Sequence, residues 1–385
     1  MRVFIIAGEP SGDKLGAALM EGLRSLAPDV QFTGIGGARM IESGLSSLFP
    51  MEDISIMGIS EILSQYRFLK RRIAQTAETI VADAPDVLIT IDLPEFSLRV
   101  AKLVKQKSQI RCVHYVAPTV WAWRAGRAAK MARHIDQVLA LLPFEPPYMQ
   151  AAGMECDFVG HPVVTDPQAS VSDAQQFRKS HGIGDAPLLL ALPGSRRSEV
   201  SRLAPVFGQS LAPLLQNRPD LRVVVPAAGP VEQAVQTAVA DWPGNPLVIA
   251  SEDKSLKRAA FAAADVALAA SGTVSLELAA ANTPMIIAYD MSWLSRQIIG
   301  RMVKVDTVTL VNLVSDTRAV PEFIGANCKP DLIAKAVEDV LDAPDAQNTA
   351  MQVTMERLGR GGESPGLRAA KAVMQGLAPK TQSPE

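Results

Sequence analysis

The sequence predicts an α/β protein: two Rossmann-like domains with parallel sheets facing a central cleft. Three observations lead there. Short apolar runs alternate with longer helical patterns, as in βαβ units. The runs are continuous rather than alternating, which suits parallel strands covered on both faces. They also fall into two series that open alike, with an apolar strand, a Gly/Ser-containing turn and a helix. The length of 385 residues agrees, being two domains at ~150 residues each, or one large one.

The first series contains Val3–Ala7, Val87–Ile91, Cys112–Val116 and Val138–Leu142. Its opening turn is Gly8-Glu9-Pro10-Ser11-Gly12-Asp13. A stretch rich in Pro and Gly, Gly160 to Pro187, separates it from the second series and places the domain junction. The second series contains Leu188–Leu192, Val223–Val225, Leu247–Ile249, Val266–Leu268 and Met285–Ile287, and its turn is Pro193-Gly194-Ser195-Arg196-Arg197-Ser198-Glu199. Beyond Pro330 the pattern is helical, with breaks near Pro344 and from Gly359 to Gly366. The expected division is 1–165, 166–343, then helices over 344–378 packing back on the first domain, and a disordered tail over 379–385.

Composition narrows the function. With 48% hydrophobic and 20% charged residues, the chain is an ordinary folded protein rather than a disordered one. Its 38 basic and 40 acidic residues nearly cancel, so nucleic acid is not expected as a partner. Cys112, Cys156 and Cys328 are too few and too scattered for a disulfide framework or a zinc cluster, which suits a reducing compartment. The N-terminus lacks the longer apolar region of a signal peptide. No apolar run reaches the ~18 residues of a spanning helix; the longest, Ala259 to Ala270, is interrupted by Asp265. Charge is uneven locally, however. Nine Lys or Arg and no acid lie between Arg99 and Arg133.

The second series carries two turns suited to a nucleotide. Ser271-Gly272-Thr273 follows a strand and opens a helix, whose N-terminal N–H groups and dipole favour phosphate. Glu277, about one turn further, can accept bonds from both ribose hydroxyls. A simple helix cap by Ser271 or Thr273 competes with this. The second turn, Gly194-Ser195-Arg196-Arg197, tips the balance, because an arginine fork can neutralise a diphosphate. No Walker A motif is present, and Gly34-Ile35-Gly36-Gly37-Ala38-Arg39 has Arg39 where a dinucleotide fingerprint ends in Gly. Without an Asp-x-Asp pair, neither a metal nor a cofactor is expected.

In the first series, Asp92 ends a buried-looking strand, where a carboxylate points into the expected cleft. It is the preferred general base, with Glu9 next. The stretch from His114 to Arg124 holds two of the four tryptophans, Trp121 and Trp123, and can contact a phosphorylated or lipid-bearing substrate. Finally, Ile59, Ile62, Leu63, Tyr66 and Ile73 recur at near-helical spacing beside Phe68 and Leu69, edged by Arg67, Lys70, Arg71 and Arg72. A core helix explains that stripe by itself, although an interfacial helix on an anionic membrane has the same pattern.

Taken together, these residues resemble the lipid-A-disaccharide synthase family, inverting glycosyltransferases of the GT-B type. The resemblance spans nearly the whole chain. It rests on Gly8–Asp13, Met57-Gly58, Ile91-Asp92, His114-Tyr115-Val116, Val120-Trp121-Ala122-Trp123-Arg124, Leu142-Pro143-Phe144-Glu145, Gly160-His161-Pro162, Leu192–Arg196 and Ser271–Thr273. It implies transfer of 2,3-diacylglucosamine from its UDP derivative to the 6-hydroxyl of 2,3-diacylglucosamine 1-phosphate, forming a β-1,6 bond. In that family's terms Asp92 is the base, with Glu9 the alternative. Gly194, Ser195, Arg196, Ser271, Gly272, Thr273, Glu277 and Asn312 hold the nucleotide-sugar. Ser11, Asp13, His114, Trp123 and Arg124 serve the acceptor. Val311 stands where the family often has Pro.

Because both substrates are diacylated, the resemblance also favours membrane contact. The helix from Ile59 to Ile73 becomes the docking element on an anionic inner-membrane surface. The expected location is cytoplasmic and peripheral, on the inner face of the cytoplasmic membrane; a homodimer is left open. The rival readings are another UDP-sugar enzyme on this fold, such as a wall glycosyltransferase or a 2-epimerase, and a non-catalytic lipid- or nucleotide-binding protein.

Overall fold

The computed structural model describes residues 1–55, 59–122, 126–291 and 305–378, with the backbone alone over 59–65. It divides into two compact units, one of Met1–Thr165 with the chain from Gly361 onward, the other of Asp166–Arg360.

In the first unit the elements run β1 (Arg2–Ala7), α1 (Pro10–Leu26), β2 (Gln31–Ile35), α2 (Ala38–Glu42), β3 (Ser46–Ser47), α3 (Ile59–Asp83) and β4 (Val87–Ile91). They continue with α4 (Pro94–Lys107), β5 (Arg111–Tyr115), α5 (Gly126–Met131), β6 (Gln137–Ala140), α6 (Pro146–Gln150) and β7 (Glu155–Phe158). The described strands form one parallel sheet of order β3-β2-β1-β4-β5-β6-β7. Two apolar layers sandwich it. Phe4, Ile6, Leu88 and Val138 face Ile73 and Ile80 of α3 and Val100 of α4, while Val3, Ile5, Ile89 and Leu139 face Leu19 and Leu23 of α1. Both faces are covered, so the strands read as unbroken apolar runs.

The second unit holds α7 (Val171–Ser180), β8 (Leu188–Leu192), α8 (Arg197–Asn217), β9 (Arg222–Pro226), α9 (Glu232–Val239), β10 (Leu247–Ile249) and α10 (Lys254–Ala263). Next come β11 (Val266–Ala270), α11 (Val274–Ala280), β12 (Met285–Tyr289), α12 (Leu310–Ser315), β13 (Glu322–Ile324), α13 (Pro330–Asp342) and α14 (Asp345–Arg357). Its described strands form a parallel sheet of order β10-β9-β8-β11-β12-β13. Four short strands, β2, β3, β7 and β13, were not expected from the sequence. They are edge or near-edge strands with polar residues that blur the apolar run.

The two C-terminal helices part company. α14 stays with the second unit, where Gln347 donates to the Met285 carbonyl at 3.0 Å and accepts its N–H at 2.8 Å, and Met351 and Met355 are buried. Only the last helix, α15 (Pro365–Leu377), lies on the first unit. It crosses α1 where Gly22 meets Gly366, and a Cβ on Gly366 would lie 2.4 Å from the Ala18 carbonyl oxygen. Gln137 of β6 donates to the Ala372 carbonyl at 3.0 Å, and Arg368 donates to that of Phe158 at 2.8 Å. The expectation placed all of 344–378 on the first unit; in the structure α14 lies with the second unit and α15 with the first.

Candidate active site

Each sheet has one point at which the chain reverses its direction of winding. In the first unit it lies between β1 and β4, whose ends are in register at Ala7 and Ile91. Ligands of open α/β sheets bind outside the carboxyl ends of strands at such a point. The turn Gly8-Glu9 leaves β1 there, and Asp92 leaves β4. Asp92 and Leu93 are both left-handed, with φ of 48° each. Two adjacent non-glycine residues in this region cost about 1–2 kcal/mol apiece, and such strain gathers at functional sites. The Asp92 N–H donates to the Tyr115 carbonyl at 3.0 Å, and the Leu93 side chain packs over Gly8, so the loops bearing Asp92 and Glu9 lie against each other. Asp92 and Glu9 are part-exposed and Ser11, in the first turn of α1, is exposed.

Other residues expected at this site are occupied elsewhere. Asp13 is buried and accepts from the N–H groups of Gly37 at 2.8 Å, Arg39 at 3.1 Å and Met40 at 3.1 Å. It caps α2 with both carboxylate oxygens engaged, and the amides it takes include those of Gly37 and Arg39 in the fingerprint-like segment. His114 is 3% exposed, and its Nδ1 lies 2.8 Å from Thr90 Oγ1 on the neighbouring strand. Burial pushes its pKa down to about 4, which keeps the ring neutral. It is a packing residue of the sheet rather than a substrate contact. Trp123 and Arg124 lie outside the described residues. Trp121 is buried edge-on to Phe144, with ring centroids 5.2 Å apart, and donates to Glu145 at 3.4 Å. Glu145 also accepts the Leu142 N–H at 3.0 Å, and burial raises its carboxyl to about 7. In the sequence Glu145 stands only as the end of the Leu142-Pro143-Phe144-Glu145 motif, with no role of its own.

The second unit reverses between β8 and β11. Gly194-Ser195-Arg196 leaves β8, and Ser271-Gly272-Thr273 leaves β11, so both expected nucleotide turns stand side by side. Gly194, at φ 121°, brings the backbone against Glu199, a residue the sequence reading left unassigned. The Arg196 side chain is 76% exposed. Gly272 and Thr273 are exposed and Ser271 part-exposed. The turn is tied by Ser275 Oγ donating to the Gly272 carbonyl at 2.9 Å. Glu277 forms an ion pair with Lys257 at 2.9 Å, and its side chain is 45% exposed. Asn312 is different. It is 1% exposed, its Nδ2 donates to Thr307 Oγ1 at 3.2 Å and to the Val320 carbonyl at 2.9 Å, and its Oδ1 accepts the Val320 N–H at 3.0 Å. Glu322 joins this knot, accepting from Thr307 Oγ1 at 2.6 Å and the Thr309 N–H at 2.7 Å. Asn312 thus orders a loop rather than offering its amide to a ligand.

The expected docking helix is two-faced. Leu69 and Ile73 are buried in the core and unavailable to a membrane. Arg72 is also withdrawn: it pairs with Asp53, and its guanidinium lies 4.3 Å from the Phe49 ring centroid and 5.1 Å from that of Phe68. Phe68 is half-buried. Tyr66, Arg67, Lys70 and Arg71 are exposed. The side chains of Ile59, Ile62 and Leu63 lie outside the described residues. No helix among the described residues is long and apolar enough to cross a membrane.

Two Rossmann-like parallel units in one chain, each with its candidate turns at the switch point, define the GT-B class. Solved structures agree on the fold. The UDP-GlcNAc 2-epimerase from Neisseria meningitidis bound to UDP-GlcNAc matches with a TM-score of 0.63 at 13% identity, covering 98% of this chain and 99% of that one. MurG from Acinetobacter baumannii matches with a TM-score of 0.56 at 13% identity, covering 97% and 99%. Sequence then gives the family. A model of the lipid-A-disaccharide synthetase family matches residues 3–373. The chain is 63% identical over 383 residues to lipid-A-disaccharide synthase of Ruegeria pomeroyi, covering 98% of this chain and 96% of that one. It is 46% identical over 378 residues to lipid-A-disaccharide synthase of Rhodospirillum centenum, covering 97% and 94%. The chain belongs to the lipid-A-disaccharide synthetase family.

Proposed function

We propose that the chain transfers 2,3-diacylglucosamine from UDP-2,3-diacylglucosamine to the 6-hydroxyl of 2,3-diacylglucosamine 1-phosphate, giving the β-1,6 lipid A disaccharide 1-phosphate and UDP. The observation that carries this reading is the family match over residues 3–373. Asp92 takes the proton of the acceptor 6-hydroxyl as its oxygen attacks the anomeric carbon. The bond from that carbon to the diphosphate breaks, and UDP leaves with the electron pair. One displacement inverts the carbon and needs no covalent intermediate. Arg196 and the Ser271–Thr273 turn stabilise the charge growing on the diphosphate. Glu277 exchanges Lys257 for the ribose hydroxyls. Strain at Asp92–Leu93 and the packing of Leu93 on Gly8 support Asp92 as base, held beside Glu9.

The substrates reach this chemistry from a membrane, the inner face of the cytoplasmic membrane in this reading. Tyr66, Arg67, Lys70 and Arg71 supply the docking surface, an exposed aromatic residue beside three cations that favour anionic headgroups. The deciding experiment is incubation with both diacylated substrates. The expected result is disaccharide 1-phosphate together with acceptor-dependent UDP release. Absence of both products from folded protein overturns the reading.

A further inference from the structure

Glu199 is the third residue of α8, and its side chain is 10% exposed. Its Oε2 accepts the Ser195 N–H at 2.9 Å and the Arg196 N–H at 3.2 Å, while Oε1 accepts Arg196 Nη1 at 3.0 Å. A Cβ on residue 194 would lie 2.5 Å from Glu199 Cβ and 2.7 Å from Oε2, so the turn closes on this carboxylate only with glycine there. The backbone N–H groups that a phosphate-binding turn normally offers are therefore already answered by an acid of the chain itself. What the turn presents outward is the Arg196 guanidinium, tethered on one edge and otherwise exposed. A free arginine side chain loses about 2 kcal/mol of rotamer entropy when it is fixed on an anion, and a prior tether lowers that loss. The neighbouring Tyr289, half-buried at the end of β12, belongs to the same charge cluster. Its phenol is pushed up by burial and by Glu199, with Arg196 and Arg202 opposing.

We propose that Glu199 is a positioning residue for Arg196, holding the guanidinium in the orientation that receives the leaving diphosphate. This rests on the placement of the diphosphate at Arg196 given above. The test is a double-mutant cycle of Arg196→Ala and Glu199→Gln, read as kcat and KM for the UDP-sugar and as UDP affinity. Glutamine keeps a carbonyl oxygen for the two backbone N–H groups, but its NH2 cannot accept from the guanidinium. Thermal melting of each variant within a few degrees of wild type shows that the turn has survived. Arg196→Ala should lower kcat/KM by about 100-fold. Glu199→Gln alone should lower it by about tenfold, mainly through KM, and should add no further loss when Arg196 is already Ala. An unimpaired Glu199→Gln overturns the inference alone, as does an equal tenfold loss in the Arg196→Ala background, which would show action through the turn's fold. Full activity of Arg196→Ala would overturn the diphosphate placement and this inference with it.

Discussion

The same device is built once in each unit, and the two copies diverge where chemistry begins. In both, the first strand runs into a turn and a helix whose opening turn carries a buried acid that accepts backbone N–H groups. Asp13 accepts them from the start of α2, a neighbouring element, while the loops that carry Glu9 and Asp92 meet where Leu93 packs on Gly8. Glu199 accepts them from its own turn and takes hold of Arg196 as well. The switch point of the first unit therefore displays carboxylates, and that of the second displays a guanidinium beside a Ser-Gly-Thr turn. One arrangement suits taking a proton and the other suits receiving a departing anion.

The contrast can be broken in order of expected effect. Asp92→Asn removes the proposed base, so kcat should fall roughly 10²–10⁴-fold in a steady-state assay with saturating substrates. Arg196→Ala should cost about 10²-fold in kcat/KM and weaken UDP binding, as the cycle above measures. Reversing Arg67, Lys70 and Arg71 to Glu should lower binding to anionic vesicles by more than tenfold in a sedimentation assay, at about 1 kcal/mol for each cation lost. Arg72→Glu provides the internal contrast. It should lower the melting temperature, because Arg72 is held by Asp53 and two phenylalanine rings.

A separate effect, outside the two switch points, concerns stability and pH. The Glu145 carboxyl is raised from 4.5 to about 7 by burial. Its folded form thus holds a proton that the unfolded chain has already released. The stability it contributes is fully present below pH 4.5 and is lost as pH rises to about 7, a total of about 3 kcal/mol. Denaturant titrations at pH 5 and pH 8 should show that loss in the wild type and a flatter response in Glu145→Gln. Equal pH dependence in both proteins would remove Glu145 as its source.

Much of this was readable in advance because it depends on local chemistry. Unbroken apolar runs such as Val87–Ile91 and Val266–Ala270 announce buried parallel strands. Prolines at Pro10, Pro94, Pro330 and Pro365 mark helix starts, where a missing N–H costs nothing. Turn residues then place Asp92, Arg196 and Ser271 at strand ends. What could not be read is where a polar side chain finds its partner. Asp13 and His114 look like site residues by type, yet each is claimed by a bond across more than 20 positions of sequence. Glu199 went unassigned because its only local sign is an acid early in a helix, which is also what a simple cap looks like. On α3, spacing showed a basic-edged apolar stripe, but only packing separates Leu69 and Arg72 from Arg67, Lys70 and Arg71.

The division of labour between the two switch points is tested most directly by equilibrium titration of UDP into Asp92→Asn and Arg196→Ala side by side. The account predicts wild-type UDP affinity for Asp92→Asn despite its lost turnover, and clearly weakened affinity for Arg196→Ala. Equal weakening in both variants, or none in Arg196→Ala, would contradict it.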